Sequence, residues 1–164
     1  MIVIVFGLPG SGKTYFAFRL AVWLNADYAN SDQIRKKMFA ARTYSTKEKL
    51  LVYNEMLAQM RQAITQSKNL VMDATFYKND IRAAFINEAQ EEAGIIFIEV
   101  KAEEAIIKER LQQKRVDSEA DYEAYKLIKQ QWEPLDDQHL ILYSTNDNIE
   151  YLLDKAMDYL HLKR

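Results

Sequence analysis

Gly7-Leu8-Pro9-Gly10-Ser11-Gly12-Lys13-Thr14 is the stretch on which the reading of this 164-residue chain turns. The chain has four glycines, and Gly7, Gly10 and Gly12 fall within six positions. Glycine gathers where backbone must turn tightly or approach a ligand closely. The spacing obeys G-x-x-x-x-G-K-[ST] in full, and each position has a physical task. A glycine-rich turn curls successive backbone N–H groups into a concave nest that receives phosphate oxygens. The loop residues Gly7, Pro9, Gly10, Ser11 and Gly12 are therefore expected to cradle a triphosphate, with Lys13 adding a positive charge and Thr14 offering a hydroxyl to magnesium. A helix starting at the end of the loop would point its positive dipole end at the same anion.

The flanks supply the context this mechanism needs. Ile2-Val3-Ile4-Val5-Phe6 reads as a buried strand, and a helix to about Asn25 follows the loop, with Phe16, Leu20, Trp23 and Leu24 on one face. Further along, residues 27–30 read as a short strand and residues 32–41 as a helix. Ser45-Thr46-Lys47-Glu48 reads as a capping box opening a long helix to about Gln66, with Leu50, Tyr53, Leu57, Met60 and Ile64 inward. Strands are expected at 69–73, 95–100 and 139–143. Helices are expected at 80–93, closed by Gly94, at 103–113 and at 118–132. Asn146 or Asp147 would cap a last helix with Ile149, Leu152, Leu153, Ala156 and Leu160 inward. Five strands alternating with helices predict an α/β fold, a five-stranded parallel sheet flanked by helices in three layers, forming one domain over 1–164 with a lid around 110–125. Ligands of such sheets sit beyond the carboxyl ends of the strands.

Composition narrows the function. The formal net charge is −2, which argues against a protein that coats nucleic acid non-specifically. With no cysteine and only His139 and His161, thiolate zinc sites, cysteine nucleophiles and histidine metal clusters are excluded or disfavoured; both histidines read as structural or surface residues. No apolar run approaches the roughly 20 residues of a membrane span, so a soluble cytoplasmic protein with no membrane partner is expected.

A phosphate loop alone does not say where the γ-phosphate goes. The guanine-reading N-K-x-D pattern of switch GTPases does not occur, and Asp73 is followed by Ala74 rather than the water-polarising glutamate of motor ATPases. Both absences favour transfer to a hydroxyl. Ser31-Asp32-Gln33-Ile34-Arg35 stands where the second strand meets a helix. A carboxylate there can take the proton of an attacking hydroxyl, and Arg35, one turn on, can hold an anionic group. On spacing alone, Asp32 can equally be a helix cap followed by a surface run of cations.

These residues, with Met72-Asp73-Ala74-Thr75, Arg82, Arg110-Leu111 and Arg115, resemble the P-loop kinase family that contains the polynucleotide 5′-hydroxyl kinases. Zeta toxins, gluconate-type sugar kinases and chloramphenicol phosphotransferase are more distant relatives. The resemblance implies an ATP- and magnesium-dependent kinase in which Asp32 is the general base, Arg35 grips the acceptor and Asp73 lies beside the metal with Thr14. It also implies that Arg115, and secondarily Arg110, close over the transferring phosphate as lid arginines. Arg82 reads better as a structural residue paired with Glu88 or a neighbour. Tyr15 departs from the small hydroxyl residue common in relatives.

The acceptor is left open between a polynucleotide 5′-hydroxyl, which the motifs favour, and a small molecule such as a sugar, nucleotide sugar, nucleoside or antibiotic. A non-catalytic nucleotide-binding module is the third reading. A groove of Arg35, Lys36, Arg42 and Lys78 leading to Asp32 would favour nucleic acid; a closed pocket would favour a small acceptor. Phe76 and Tyr77 are the candidates for stacking on a base. Contact with the base is expected mostly from loop backbone around Ser144 to Asn148, with little selectivity.

Overall fold

Every residue of Ile2–Phe6 is buried, and a strand with no polar face needs neighbours on both edges and covering layers on both sides. The computed structural model, which describes residues 1–89, 93–113 and 121–162, meets both requirements. In chain order the elements are β1 (Ile2–Phe6), α1 (Lys13–Trp23), β2 (Asp27–Asn30), α2 (Ser31–Met38), α3 (Thr46–Thr65), β3 (Leu70–Asp73), α4 (Asn79–Ala89), β4 (Ile95–Lys101), α5 (Glu104–Gln112), α6 (Tyr122–Gln131), β5 (Leu140–Tyr143) and α7 (Ile149–Leu162). The strands form one sheet in the order β2-β3-β1-β4-β5, all parallel. In the centre, Val5 stands opposite Asp73 of β3 on one side and Ile98 of β4 on the other.

Alternation along β1 divides the core. Ile2, Ile4 and Phe6 face a layer built from Ile34 of α2, Val52, Met56 and Met60 of α3, and Phe85 of α4. Val3 and Val5 face Phe16 and Leu20 of α1 and Leu152, Leu153, Ala156 and Leu160 of α7. The result is the expected three-layer α/β arrangement, with the carboxyl ends of all five strands opening on one side. Among the described residues, no helix is long and apolar enough to cross a membrane.

Several local expectations are corrected. Trp23 of α1 is exposed, and the inward face is Phe16, Ala17, Leu20 and Ala21. In α3 the buried set is Glu48, Val52, Tyr53, Met56, Met60 and Ala63, while Leu50 is 59% exposed. Buried Glu48 sets the phase of the first turn, and a residue two positions on lies roughly 200° round the helix. Gly94 has no left-handed backbone, and the described part of α4 ends at Ala89. At the start of α7, the side chain of Asn148, rather than Asn146 or Asp147, spans the turn: its Oδ1 accepts from the Thr145 amide at 2.8 Å and its Nδ2 donates to the Tyr143 carbonyl at 2.9 Å.

The turn after β3 is held under strain. Phe76 has φ 43°, a left-handed conformation that a bulky residue adopts only when its surroundings compel it. Its amide donates to the Tyr53 hydroxyl at 3.2 Å and its carbonyl accepts from Arg82 at 2.7 Å. Its ring meets Phe85 edge-on at 5.0 Å. Phe85→Ala should therefore lower stability by about 3–5 kcal/mol in urea unfolding, because the site is fully buried and cannot collapse around its neighbours.

Candidate active site

The nest forms because β1 ends at Phe6 and the chain must reverse into α1 above it. Gly10 and Gly12 adopt φ 79° and 89°, and neither has room for a side chain. A Cβ on Gly10 would stand 3.0 Å from both Ile107 and Leu111, and one on Gly12 2.9 Å from the Ser144 hydroxyl. The first amides of α1, which begins at Lys13, have no intrahelical acceptor and point toward the loop's concavity.

Arg110, on α5, fastens this loop to the segment following β5. Its Nη1 donates to the Gly10 carbonyl (3.1 Å) and to Ser144 Oγ (3.0 Å), its Nη2 to the Thr145 carbonyl (2.9 Å) and its Nε to Asn146 Oδ1 (3.2 Å). Ser144 Oγ in turn donates to the Ser11 carbonyl at 2.5 Å. Burial lowers the Arg110 pKa from its ordinary value, against the pull of Glu109. Arg110 thus stands at the phosphate loop, bound to it on one side and to the β5–α7 turn on the other.

Asp73 is fully buried at the end of β3. Its Oδ2 accepts from Asn30 Nδ2 (2.6 Å) and from the Tyr28 hydroxyl (2.9 Å), which holds the carboxylate in one orientation. Its Oδ1 has no hydrogen-bond partner among the described residues. A buried carboxylate oxygen with no donor is costly unless something positive or hydrated reaches it, and it fits a hard cation that takes oxygen ligands.

Two cavities meet at Lys13 and Asp32. One, of about 510 Å³, runs from Gly10, Gly12, Lys13 and Thr14 past Arg110 to the β5–α7 turn. The other, of about 220 Å³, is lined by Pro9, Ser31, Arg35, Tyr44, Lys49, Tyr53, Thr75 and Tyr77, together with Ala124, Leu127 and Ile128 of α6. Lys13 and Asp32 line both. Asp32 is positioned by α2, whose N-cap Asn30 accepts from the Gln33 amide at 2.9 Å. Asp32 itself lies in the first turn of that helix.

Arg35 lies between two carboxylates. Its Nη1 donates to Asp32 Oδ1 at 3.1 Å. Its Nε lies 3.1 Å from Glu48 Oε1 at an angle that makes an ion pair rather than a hydrogen bond. Its guanidinium carbon stands 4.7 Å from the centre of the Tyr44 ring. Glu48 departs from the simple capping box. Its amide is received by Ser45 Oγ at 3.2 Å, but its carboxylate reaches past Ser45 to the Thr43 amide (2.7 Å), the Thr43 hydroxyl (3.0 Å) and the Tyr44 amide (3.2 Å). It therefore holds the turn that presents Tyr44 to the cavity. Burial pushes the Tyr53 hydroxyl up to about 12, so Tyr53 stays protonated.

Asp32, Arg35, Lys13, Thr14 and the loop glycines are thus brought to one place. Arg115 lies outside the described residues, as does the lid over 114–120. Lys36, Arg42 and Lys78 do not line the smaller cavity. Phe76 is buried in the core and offers no surface to a base, whereas Tyr77 lines the cavity. Arg82 is buried and donates to the Phe76, Glu133 and Pro134 carbonyls and to Asn79, while Glu88 pairs with Arg61 instead. Sequence reasoning missed Tyr44 and Tyr53 as cavity walls. The available signal was the capping motif itself, since Tyr44 directly precedes it and Tyr53 lies just beyond it.

A family described as AAA domain matches residues 2–135, which include the loop, Asp32, Arg35, Asp73 and Arg110. The chain belongs to that family. No curated protein sequence matches it significantly. Among solved structures it resembles a sugar kinase from Janibacter sp. HTCC2649, with 16% identity, TM-score 0.75 and coverage of 98% of this chain and 94% of that one. It also resembles the Mycobacterium tuberculosis APS kinase CysC in complex with AMPPNP and APS, with 15% identity, TM-score 0.74 and coverage of 98% and 96%. A chain of the Pnkp1/Rnl/Hen1 RNA repair complex has 21% identity and TM-score 0.66 over 79% of this chain and 43% of that chain. At these identities the likeness is one of fold, that of P-loop kinases.

Glu48 gives a check on the local electrostatics. Burial raises its pKa, but the hydrogen bonds from Thr43 and Tyr44 and the charge of Arg35 outweigh that and hold it below the ordinary 4.5. A carboxyl depressed in the folded state stabilises the fold above its unfolded pKa and loses that contribution as pH falls through the folded value. Glu48→Gln should therefore melt with a shallower loss of Tm than the parent protein between about pH 5 and pH 3.

Proposed function

We propose that this protein is a kinase that transfers the γ-phosphate of a magnesium-bound nucleoside triphosphate to a hydroxyl of a small acceptor held in the cavity beneath α6. The observation that carries this reading is that Lys13 and Asp32 line both cavities, so a donor in one and an acceptor in the other would meet between them. Asp32 accepts the proton as the acceptor oxygen attacks the γ-phosphorus, and the bond to the β-phosphate oxygen breaks with the diphosphate leaving. Lys13 and the loop amides hold the phosphate oxygens through the transfer. Thr14 and Asp73 would hold magnesium, which when bound neutralises charge on the transferring group. The modest size of this cavity, about 220 Å³, supports a small acceptor, as does the absence of Lys36, Arg42 and Lys78 from its lining, where Arg35 alone of the expected groove stands.

A polynucleotide 5′ end is the second reading, favoured by Lys49 and Lys78, whose ammonium groups stand 5.5 and 5.8 Å from the centre of the Tyr77 ring. A cationic, aromatic lip of that kind suits a strand terminus.

The test offers γ-labelled ATP and magnesium together with 5′-hydroxyl oligonucleotides, sugars and nucleosides. Label in a small acceptor is the expected result; label in oligonucleotide selects the second reading; intact ATP binding with no transfer means a non-catalytic module. Lys13→Ala should abolish transfer. Asp32→Asn should lower kcat by about 10²–10⁴-fold with ATP affinity unchanged, whereas equal loss of both would make Asp32 structural.

A further inference from the structure

The larger cavity extends well beyond the phosphate loop, and that extension decides how the rest of the nucleotide is gripped. Past Thr14 its walls on the α1 and α7 side are Tyr15, Phe18, Ile149 and Leu152, an aromatic and aliphatic surface facing the Arg110 side. Tyr15 is 56% exposed, yet it is held in place: Arg19 stacks on its ring at 4.0 Å and donates to its hydroxyl at 2.5 Å. Phe18 is braced edge-on against Tyr28 at 5.6 Å, and Tyr28 is tied to Asp73. An exposed ring fixed at a cavity wall has a face to offer a planar ligand.

The turn opposite has spent much of its hydrogen-bonding capacity on itself. The Thr145 amide, carbonyl and hydroxyl are engaged by Asn148, Arg110 and Asp147, both ends of the Asn148 amide are used within the turn, and Asn146 Oδ1 accepts from Arg110. Groups so committed are poor readers of base edges.

We infer that Tyr15 is a specificity-determining residue of the triphosphate site, a stacking wall for the nucleoside, so that the donor base is held by its face rather than by its edge and purines are used interchangeably. Stacking tolerates any base because every base has a π face. This rests on the proposed binding of a nucleoside triphosphate at the phosphate loop.

The test is calorimetric titration of the protein with the magnesium complexes of ATP, GTP and inorganic tripolyphosphate. ATP and GTP should bind within about three-fold of one another, and both about ten-fold or more tighter than tripolyphosphate. Tyr15→Ala should weaken both nucleotides about ten-fold and leave tripolyphosphate unchanged, while Tyr15→Phe should bind like the parent protein. If wild type binds all three but Tyr15→Ala leaves ATP unaffected, or weakens tripolyphosphate equally, the inference is overturned while the phosphate loop stands. A preference for ATP over GTP of thirty-fold or more overturns it too. If wild type binds none of the three, the triphosphate reading and this inference fail together.

Discussion

A chain can hold a polyanion at the end of a sheet only by keeping several backbone N–H groups unspent and aimed at one point, a conformation with almost no intrinsic stability. The structure is arranged around sustaining that turn. Gly10 and Gly12 take left-handed backbone where a Cβ would strike α5 or Ser144, and β1, the strand from which the turn springs, is wedged between two others and covered on both faces. Arg110 and Ser144 then hold the turn from outside through the Gly10 and Ser11 carbonyls. Within the turn the Ser11 amide closes onto the Leu8 carbonyl at 3.1 Å.

A second compensation operates across the smaller cavity. A bare guanidinium at Arg35 would be expensive at its burial, and a bare carboxylate at Glu48 equally so. Each offsets the other, and the hydrogen bonds to Thr43 and Tyr44 satisfy what the ion pair leaves over. Asp32 shares that guanidinium, so the carboxylate proposed to take a proton is oriented by Arg35 Nη1 at 3.1 Å.

The architecture was legible because it rests on short-range patterns: the uncharged run Ile2–Phe6, the glycine spacing and the alternation of strands with amphipathic helices each survive in one dimension. The placement of Asp73 at the end of β3, and of Asp32 and Arg35 on the helix that follows β2, was legible because strand ends and the turns after them are fixed by the same short-range patterns. The cavity walls were not, since Tyr44 is placed by Glu48, Tyr53 is tied to the left-handed Phe76 next to Tyr77, and the segment after α6 is anchored by Arg82, none of which leaves a periodic trace. The phase of α3 failed for a related reason. Hydrophobicity counts placed Leu50 inside, but a buried ion pair, invisible to such counts, turned Glu48 inward in its place.

The central position of β1 has a consequence for the birth of the molecule. Its two partners are β3 and β4, so β1 cannot complete its pairing until Glu99, far along the chain, has been made. Until then an uncharged pentapeptide of high β-propensity waits with at least one edge open, a situation that invites capture by other nascent chains or by chaperones. The same placement that shelters the strand in the finished sheet leaves it exposed in the unfinished one.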